Sequence, residues 1–191
     1  MNNLKLYMNP QTSITTSKLP PTTSLFCPRR SPLKMAVSCN PLTFLPASPF
    51  GTSILSLTTS LITNYSASVP SALRFTQPPV TLINTTFCNV TVTYTHPGQH
   101  DTVIVEAWLP MENPSWNERL QAVGGGGFAP GRLALSYEAM KGALGDGYAT
   151  VTTDAGVGGS QEPSAWALLS EGNVDWGRLR SLASVSLDDE V

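Results

Sequence analysis

Four consecutive glycines, at positions 124–127, are the residues of this sequence whose type and spacing best suit chemistry. They follow a short apolar run, residues 120–123, which predicts a buried strand. Because consecutive glycines cost backbone entropy on folding, they indicate positions where a side chain is not tolerated. The bare N–H groups of such a loop can bind an anion or the oxyanion of an acyl-transfer reaction.

The same glycines also allow a dinucleotide-binding loop, since Gly124, Gly126 and Ala129 satisfy G-x-G-x-x-G/A after a predicted strand. Two observations oppose this interpretation. Pro130 and Gly131 interrupt the start of the following helix, and Asp154 lies about thirty positions past Gly124, beyond the usual ~20. A flexible turn without chemistry is the third interpretation.

Other candidates for chemistry are few. Asp154 follows the predicted strand 148–153, where it could face a ligand at the strand end or cap the turn through Gly156. The two histidines, His96 and His100, fall four apart in a predicted turn and are expected to be solvated. They lack the further ligands of a zinc site, so the sequence predicts no metal site. No G-x-S-x-G serine elbow occurs, since the Ser160 and Ser170 segments each fail at one glycine.

The predicted elements around the glycine run form a hairpin and one βαβ unit. Period-two alternation predicts a strand from Cys88 to Tyr94, a turn over 95–101 and a returning strand over 102–109. A helix is predicted over 133–144, followed by a strand over 148–153 that should run parallel to 120–123. The apolar stripe of that helix is formed by Leu133, Tyr137, Met140 and Leu144.

Two flanking segments are less regular. A last helix is predicted over 174–185, with Asn173 as its N-cap and with Trp176, Leu179, Leu182 and Ala183 facing inward. Residues 39–79 allow no assignment beyond short strands or turns. Residues 1–36 are rich in Ser, Thr and Pro without periodicity, and are expected to be a disordered leader or a gene-model artefact without a clear signal peptide. Residues 37–191 would form the folded domain.

Composition excludes two classes of partner. A net charge of -2 argues against nucleic acid, and no apolar run approaches the ~18 residues of a membrane span.

Three N-x-S/T sequons begin at Asn64, Asn84 and Asn89, whereas Asn113 is excluded by Pro114. Asn89 falls on the polar face of its predicted strand, as an acceptor of a glycan requires. The sequons support secretion.

Three motifs in order resemble the tannase and feruloyl esterase family. The first is Ile104-Val-Glu-Ala-Trp-Leu-Pro110 with Trp116-Asn117 and the glycine run, and the second is the segment 147–156. The third combines residues 166–168 with 173–176. The resemblance covers roughly residues 39–189. The chain departs from the family pattern at Glu118, where the family has Gly, at Gly125, where it has Asn, and at Val157, where it often has His.

The resemblance implies an α/β fold, here an incomplete α/β-hydrolase sheet, and serine-triad hydrolysis of galloyl or feruloyl esters. It implies an oxyanion loop formed by Gly124, Gly125, Gly126 and Gly127, a disulfide between Cys39 and Cys88 with Cys27 free, and an extracellular location. Family members also carry calcium in a lid domain, which this sequence does not include.

Members of the family are several times longer than the matching part, and their serine and histidine motifs are absent here. The chain is therefore expected to be an N-terminal fragment or a truncated gene model, without cofactor and inactive alone. The alternatives are a non-catalytic fragment or a dinucleotide-binding βαβ unit.

Overall fold

A computed structural model describes residues 38–44, 49–74 and 77–185. Five strands form one sheet in the order β1-β2-β3-β5-β4. Their bounds are Ser53–Val69 for β1, Val80–Thr95 for β2, Val103–Glu112 for β3, Leu120–Ala122 for β4 and Ala149–Thr153 for β5. The helix α1, Ala134–Gly145, connects β4 to β5. The predicted leader and Cys27 lie outside the described residues.

The sheet is mixed, and its central part matches the predicted elements. β2 and β3 form the antiparallel hairpin, and β4 and β5 pair in parallel, as expected of a βαβ unit. β5 pairs with β3 antiparallel on its other side, from Val105–Thr153 to Trp108–Thr150. The predicted hairpin, helix and parallel pair are therefore confirmed, and the architecture is compatible with part of an α/β fold.

The long strand β1 was missed by the prediction for residues 39–79. It runs for 17 residues and pairs antiparallel with β2 along nearly its whole length. Only Val69 is buried, because β1 lies at the sheet edge and most of its side chains stay accessible. A strand with so little burial has no period-two pattern of hydrophobic residues, and its partner lies too far along the chain for a local signal.

The apolar stripe of α1 packs on one face of the sheet. Met140 and Leu144 are fully buried there, against Leu82, Phe87 and Trp108. A second cluster, which contains Tyr94, Val103, Val105 and Val151, lies on the opposite face, since positions 103 and 105 alternate with position 108 along β3. Buried clusters therefore lie on both faces of β3.

The predicted helix over 174–185 is shorter than expected and has a different cap. Leu168–Ser170 and Asn173–Val174 form a small antiparallel pair, β6 and β7, so Asn173 is in a strand. The helix α2, Trp176–Arg180, begins after Asp175, whose Oδ1 accepts from Arg178 N at 3.1 Å, and a π-helical turn, Ser181–Val185, follows. Trp176 is 76% exposed and Ala183 is exposed, so neither faces inward as predicted.

Within the three described ranges, no helix is long and apolar enough to cross a membrane.

Candidate active site

The glycine loop, residues 124–131, leaves the end of β4 and is held at its start and across its middle. Val123 N donates to Val151 O at 2.8 Å, which continues the parallel pairing into the loop. Ser136 Oγ of α1 donates to Gly124 O at 3.1 Å, and Ala129 N donates to Gly126 O at 3.1 Å. The loop is therefore a folded turn rather than an open connection.

Gly125 is required by close packing. A Cβ at this position would overlap the carbonyl oxygens of Ala129 and Pro130, so no side chain is tolerated. This explains the departure at the position where the resembled family has Asn, because an Asn side chain cannot be placed in this loop conformation. The expectation that the glycine positions tolerate no side chain does not hold for Gly126, whose Cβ would meet nothing within 4 Å.

The loop presents N–H groups without internal partners. In the described part of the chain, no hydrogen bond uses the N–H of Gly125, Gly127 or Phe128. Several such donors in one glycine-rich turn are what a developing oxyanion requires.

A pocket of about 480 Å³ opens beside the loop. The pocket is lined by residues 124–130, by Thr153 and Ala155 at and just after the end of β5, and by Leu179, Leu182 and Ala183. The volume lies in the range of ~300–1,000 Å³ that is typical of small-molecule sites. The pocket thus combines amide donors with apolar walls at the carboxyl end of two parallel strands.

A buried carboxylate, Glu106, anchors the segment that follows the loop. It is 5% exposed on β3, and its Oε2 accepts from Arg132 Nε at 3.3 Å and from Tyr137 Oη at 2.9 Å. Its Oε1 accepts from Trp108 Nε1 at 2.9 Å and from Asn89 Nδ2 at 3.1 Å. Burial and the adjacent Glu106 raise the pKa of Tyr137, which keeps its phenol protonated as a donor.

Arg132 connects Glu106 to the glycine loop. Its backbone has φ +55°, a left-handed conformation that costs energy for a residue other than glycine. Its N–H donates to Thr152 Oγ1 at 3.1 Å, while its guanidinium lies 3.2 Å from Glu106 Oε2. The ion pair and this hydrogen bond hold the strained residue between the loop and α1.

The Glu106 cluster was not identified from the sequence, although one signal was present. Glu106 is the one charged residue in the otherwise apolar run from Val103 to Leu109. The cluster also corrects the interpretation of Asn89 as an accessible acceptor. Asn89 is half-buried, and its amide is bonded to Glu106.

Asp154 is engaged with the backbone at the end of β5. Its Oδ1 accepts from Ile104 N at 2.8 Å and from Gly156 N at 3.0 Å, and the second bond is the turn contact that the sequence predicts. Its neighbours Thr153 and Ala155 line the pocket, whereas Asp154 does not.

The histidine prediction is wrong for His96 and correct for His100. His96 is 7% exposed, and its Nδ1 lies 2.5 Å from Asp101 Oδ2. Asp101 Oδ1 also accepts from His96 N at 2.8 Å, so the carboxylate closes the β2–β3 turn on itself. A turn that carries its own buried acid and base is folded rather than solvated. His100 is exposed, and neither histidine lines the pocket.

The disulfide implied by the resemblance is present between Cys39 and Cys88, with a Cα–Cα distance of 5.5 Å. The described residues contain no group of three or more His, Cys, Asp or Glu side chains that could hold a metal ion.

The sequence matches two curated proteins over part of its length. It is 43% identical over 111 residues to a probable feruloyl esterase of Arthroderma benhamiae, which covers 56% of this chain and 20% of that protein. It is 40% identical over 65 residues to a tannase of Aspergillus oryzae, which covers 32% of this chain and 11% of the relative. No family model and no solved structure matches.

The chain thus spans about one fifth or less of the length of these relatives. Both relatives bear the names of the family that the motifs around residues 104–110, 116–127 and 147–156 indicate. Over the residues that match, the chain is therefore similar to a probable feruloyl esterase and a tannase.

Proposed function

We propose that this chain supplies the oxyanion-binding loop of a carboxylic ester hydrolase that acts on phenolic esters. The observation that carries the proposal is the glycine loop, whose N–H groups at Gly125, Gly127 and Phe128 have no internal partner and belong to a wall of the pocket. In an α/β-hydrolase, a loop after an early strand donates one such N–H to the oxyanion. The two esterase relatives support the same class of reaction.

The pocket accounts for how a phenolic ester would be bound. The aromatic ring would pack against Phe128, Leu179 and Leu182, with the carbonyl oxygen directed at the loop amides. The donors stabilise the charge that develops on this oxygen, an interaction whose loss typically costs about 2.7–4 kcal/mol of barrier. Attack requires a serine activated by a base at ~2.6–3.2 Å, and the 191 residues contain no serine elbow. The chain alone therefore polarises the ester without cleaving it.

The proposed location is extracellular. A disulfide is stable in an oxidising compartment, and Cys39–Cys88 is formed in the folded chain.

Binding and turnover test the proposal together. We expect methyl ferulate and methyl gallate to shift the amide resonances of Gly125, Gly127 and Phe128 in the purified chain, without release of the free acid. Gly125→Ala should weaken binding at least tenfold, because the new Cβ overlaps the backbone of Ala129 and Pro130. Gly124→Ala is the matched control, since its Cβ would make only an ordinary contact of 3.8 Å with Pro130 O.

Three outcomes would contradict parts of the proposal. Unperturbed loop amides at saturating ester would exclude oxyanion binding, and ester cleavage by the purified chain would exclude its inactivity. Perturbation of the same amides by NAD and not by the esters would favour the dinucleotide alternative. No structural observation favours that alternative, because α1 begins only at Ala134, five residues after Ala129.

A chimera separates the role of the loop from the missing nucleophile. The aligned segment of the Arthroderma benhamiae relative is replaced by the matching residues of this chain, and hydrolysis of methyl ferulate is measured. We expect the chimera to be active, Gly125→Ala to lower kcat by about 10²-fold, and Gly124→Ala to change it by less than about threefold. Equal activity of the two variants would show that this loop does not bind the oxyanion.

A further inference from the structure

The edge strand β1 carries neither of two common protections of an exposed strand, charge and proline. Residues 53–69 include no charged residue and no proline, and β2 is the one described strand that pairs with them. Long uncharged edges pair readily with other chains, and proteins generally blunt them with charge, proline, bulges or a cover. β1 has three irregularities in its register, but no charge at any of them.

At one end of the sheet, β1 and β2 extend beyond β3. β3 pairs with β2 only from Thr86 onward, so residues 80–85 of β2 extend with β1 as a two-stranded ribbon. Isolated two-stranded ribbons are marginally stable in water. Leu82 of this ribbon is buried against α1, whereas its neighbour Ile83 is an apolar side chain with 64% exposure.

Two of the three sequons lie side by side on this ribbon. Asn64 and Asn84 are exposed and adopt φ +55° and +50°, at the points where the β1–β2 register is irregular. Asn84 N donates to Ser66 Oγ at 3.3 Å. Ser66 is the third residue of the Asn64 sequon, so this hydrogen bond connects the two sequons. Neither side-chain amide has a hydrogen-bond partner in the described part of the chain.

The third sequon is in a different environment. Asn89 pairs with Ser60 of β1 and with Trp108 of β3, so strands lie on both sides of it. Its Nδ2 donates to the buried carboxylate of Glu106 at 3.1 Å, and its Oδ1 is buried. A glycan on this nitrogen would have to displace the Glu106 cluster that anchors Arg132.

We propose that Asn64 and Asn84 carry N-linked glycans that cover the uncharged edge of the β1–β2 ribbon, and that Asn89 is unmodified. In this reaction, Nδ2 bonds to C1 of the N-acetylglucosamine of a lipid-linked oligosaccharide. The bond between C1 and the lipid diphosphate oxygen breaks, Nδ2 loses a proton, and the lipid diphosphate leaves. The enzyme that catalyses it resides in the secretory compartment in which the Cys39–Cys88 disulfide also forms.

Site occupancy is tested by translating the full chain behind a cleavable secretion signal with endoplasmic reticulum microsomes. We expect two mobility shifts for the wild-type chain, both removed by endoglycosidase H. Asn64→Gln and Asn84→Gln should each keep one shift, and the double variant should show none. Asn89→Gln should keep both shifts. Asn113→Gln is the matched control, because Asn113 is also exposed with φ +53° but precedes Pro114.

A third shift, a shift lost in Asn89→Gln, or full shifts in Asn64→Gln or Asn84→Gln would overturn the assignment. The loss of a shift in Asn64→Gln or Asn84→Gln reports the missing acceptor nitrogen and does not require the variant to fold, whereas the assignment of Asn89 concerns molecules that have folded. A non-reducing peptide map adds a check on folded molecules, since Cys88 holds its neighbour Asn89 in the disulfide-linked peptide pair with Cys39.

The covering role has its own readout. The glycosylated wild-type chain, recovered from yeast cells or medium, is treated with endoglycosidase H, and its size is followed by sedimentation. We expect the fraction larger than a monomer to rise at least twofold after treatment. An unchanged distribution would show that the glycans do not protect the β1 edge.

Discussion

At the scale of single residues, the buried carboxylate of Glu106 connects more of the structure than any residue singled out in the sequence. It accepts from two side chains on the strands, Asn89 and Trp108, and from two on the loop–helix segment, Arg132 and Tyr137. A buried charge that is fully hydrogen-bonded is tolerated, but removing its partners or its charge is costly. The shape of the glycine loop therefore depends on a residue that does not line the pocket.

Glu106→Gln should lower the free energy of unfolding by about 1.5–3 kcal/mol, since it weakens hydrogen bonds to a charged acceptor. Urea denaturation followed by tryptophan fluorescence measures the change. Glu138→Gln is the control, because Glu138 pairs only with Lys141 on the partly exposed side of α1 and should cost less than about 1 kcal/mol. Equal losses in the two variants would contradict the anchoring role of Glu106.

The Asp101 carboxyl makes the stability of the β2–β3 turn pH-dependent. Burial opposes its ionisation, but hydrogen bonds from the His96 ring, the His96 N–H and the Thr95 hydroxyl outweigh burial and lower its pKa. A lowered pKa in the folded state gives stability that is complete above the unfolded value, ~3.9, and is lost as pH falls through the folded value.

The expected result is that Asp101→Asn destabilises the chain at pH 6–7 and that this difference shrinks as pH falls below about 4. Urea unfolding at a series of pH values measures it. Glu171→Gln is the control, since Glu171 is exposed and forms no ion pair with the described residues, and it should be neutral throughout. A difference for Asp101→Asn that does not change with pH would exclude the ionised carboxylate as the cause.

At the scale of elements, the disulfide connects the segment before β1 to the strand after it. Cys39 precedes a short 3-10 turn, Pro41–Thr43, and Cys88 lies in β2 opposite Leu61 of β1. The bridge therefore closes a chain segment that includes the whole edge strand. It holds β1 to β2 where few side chains of β1 are buried.

Reduction of this bridge should lower the free energy of unfolding by about 4 kcal/mol, from the entropy of a loop with a sequence separation of 49. Urea denaturation with and without dithiothreitol measures the loss. Cys27→Ser should behave as wild type under both conditions, which separates the bridge from a general effect of thiols. Unfolding at the same urea concentration in both states would contradict the prediction.

At the scale of the whole molecule, sequence patterns predicted the elements whose hydrophobic period is local. The apolar stripe of α1 and the alternation of apolar and polar residues in β2 and β3 each indicate a buried face within about twelve residues. β1 could not be predicted, because its stability comes from pairing with β2 and from the Cys39–Cys88 bridge rather than from its own burial. The start of α2 was predicted two residues early, because the β6–β7 pair includes Asn173 and Val174.

The candidate site was predictable only in part, for a similar reason. The glycine run identified the loop, because Gly125 must lack a side chain and glycine is the residue type that meets this requirement. Leu179 and Leu182 were predicted to face inward, but their place beside the loop in the pocket lining depends on tertiary packing. Glu106 and Arg132 are 26 residues apart and approach each other only after β3 and α1 have packed.

The strand order has a consequence for when the glycine loop can form during synthesis. β4 pairs with β5 and with no other described strand, and β5 is inserted between β4 and β3. β1, β2 and β3 can pair as soon as Glu112 has left the ribosome, but β4 must wait about 30 further residues for its neighbour. At ~5–20 residues per second, this delay is roughly 2–6 s. For that interval, the nascent chain exposes the four glycines in an unpaired segment, where chaperones and proteases can reach them.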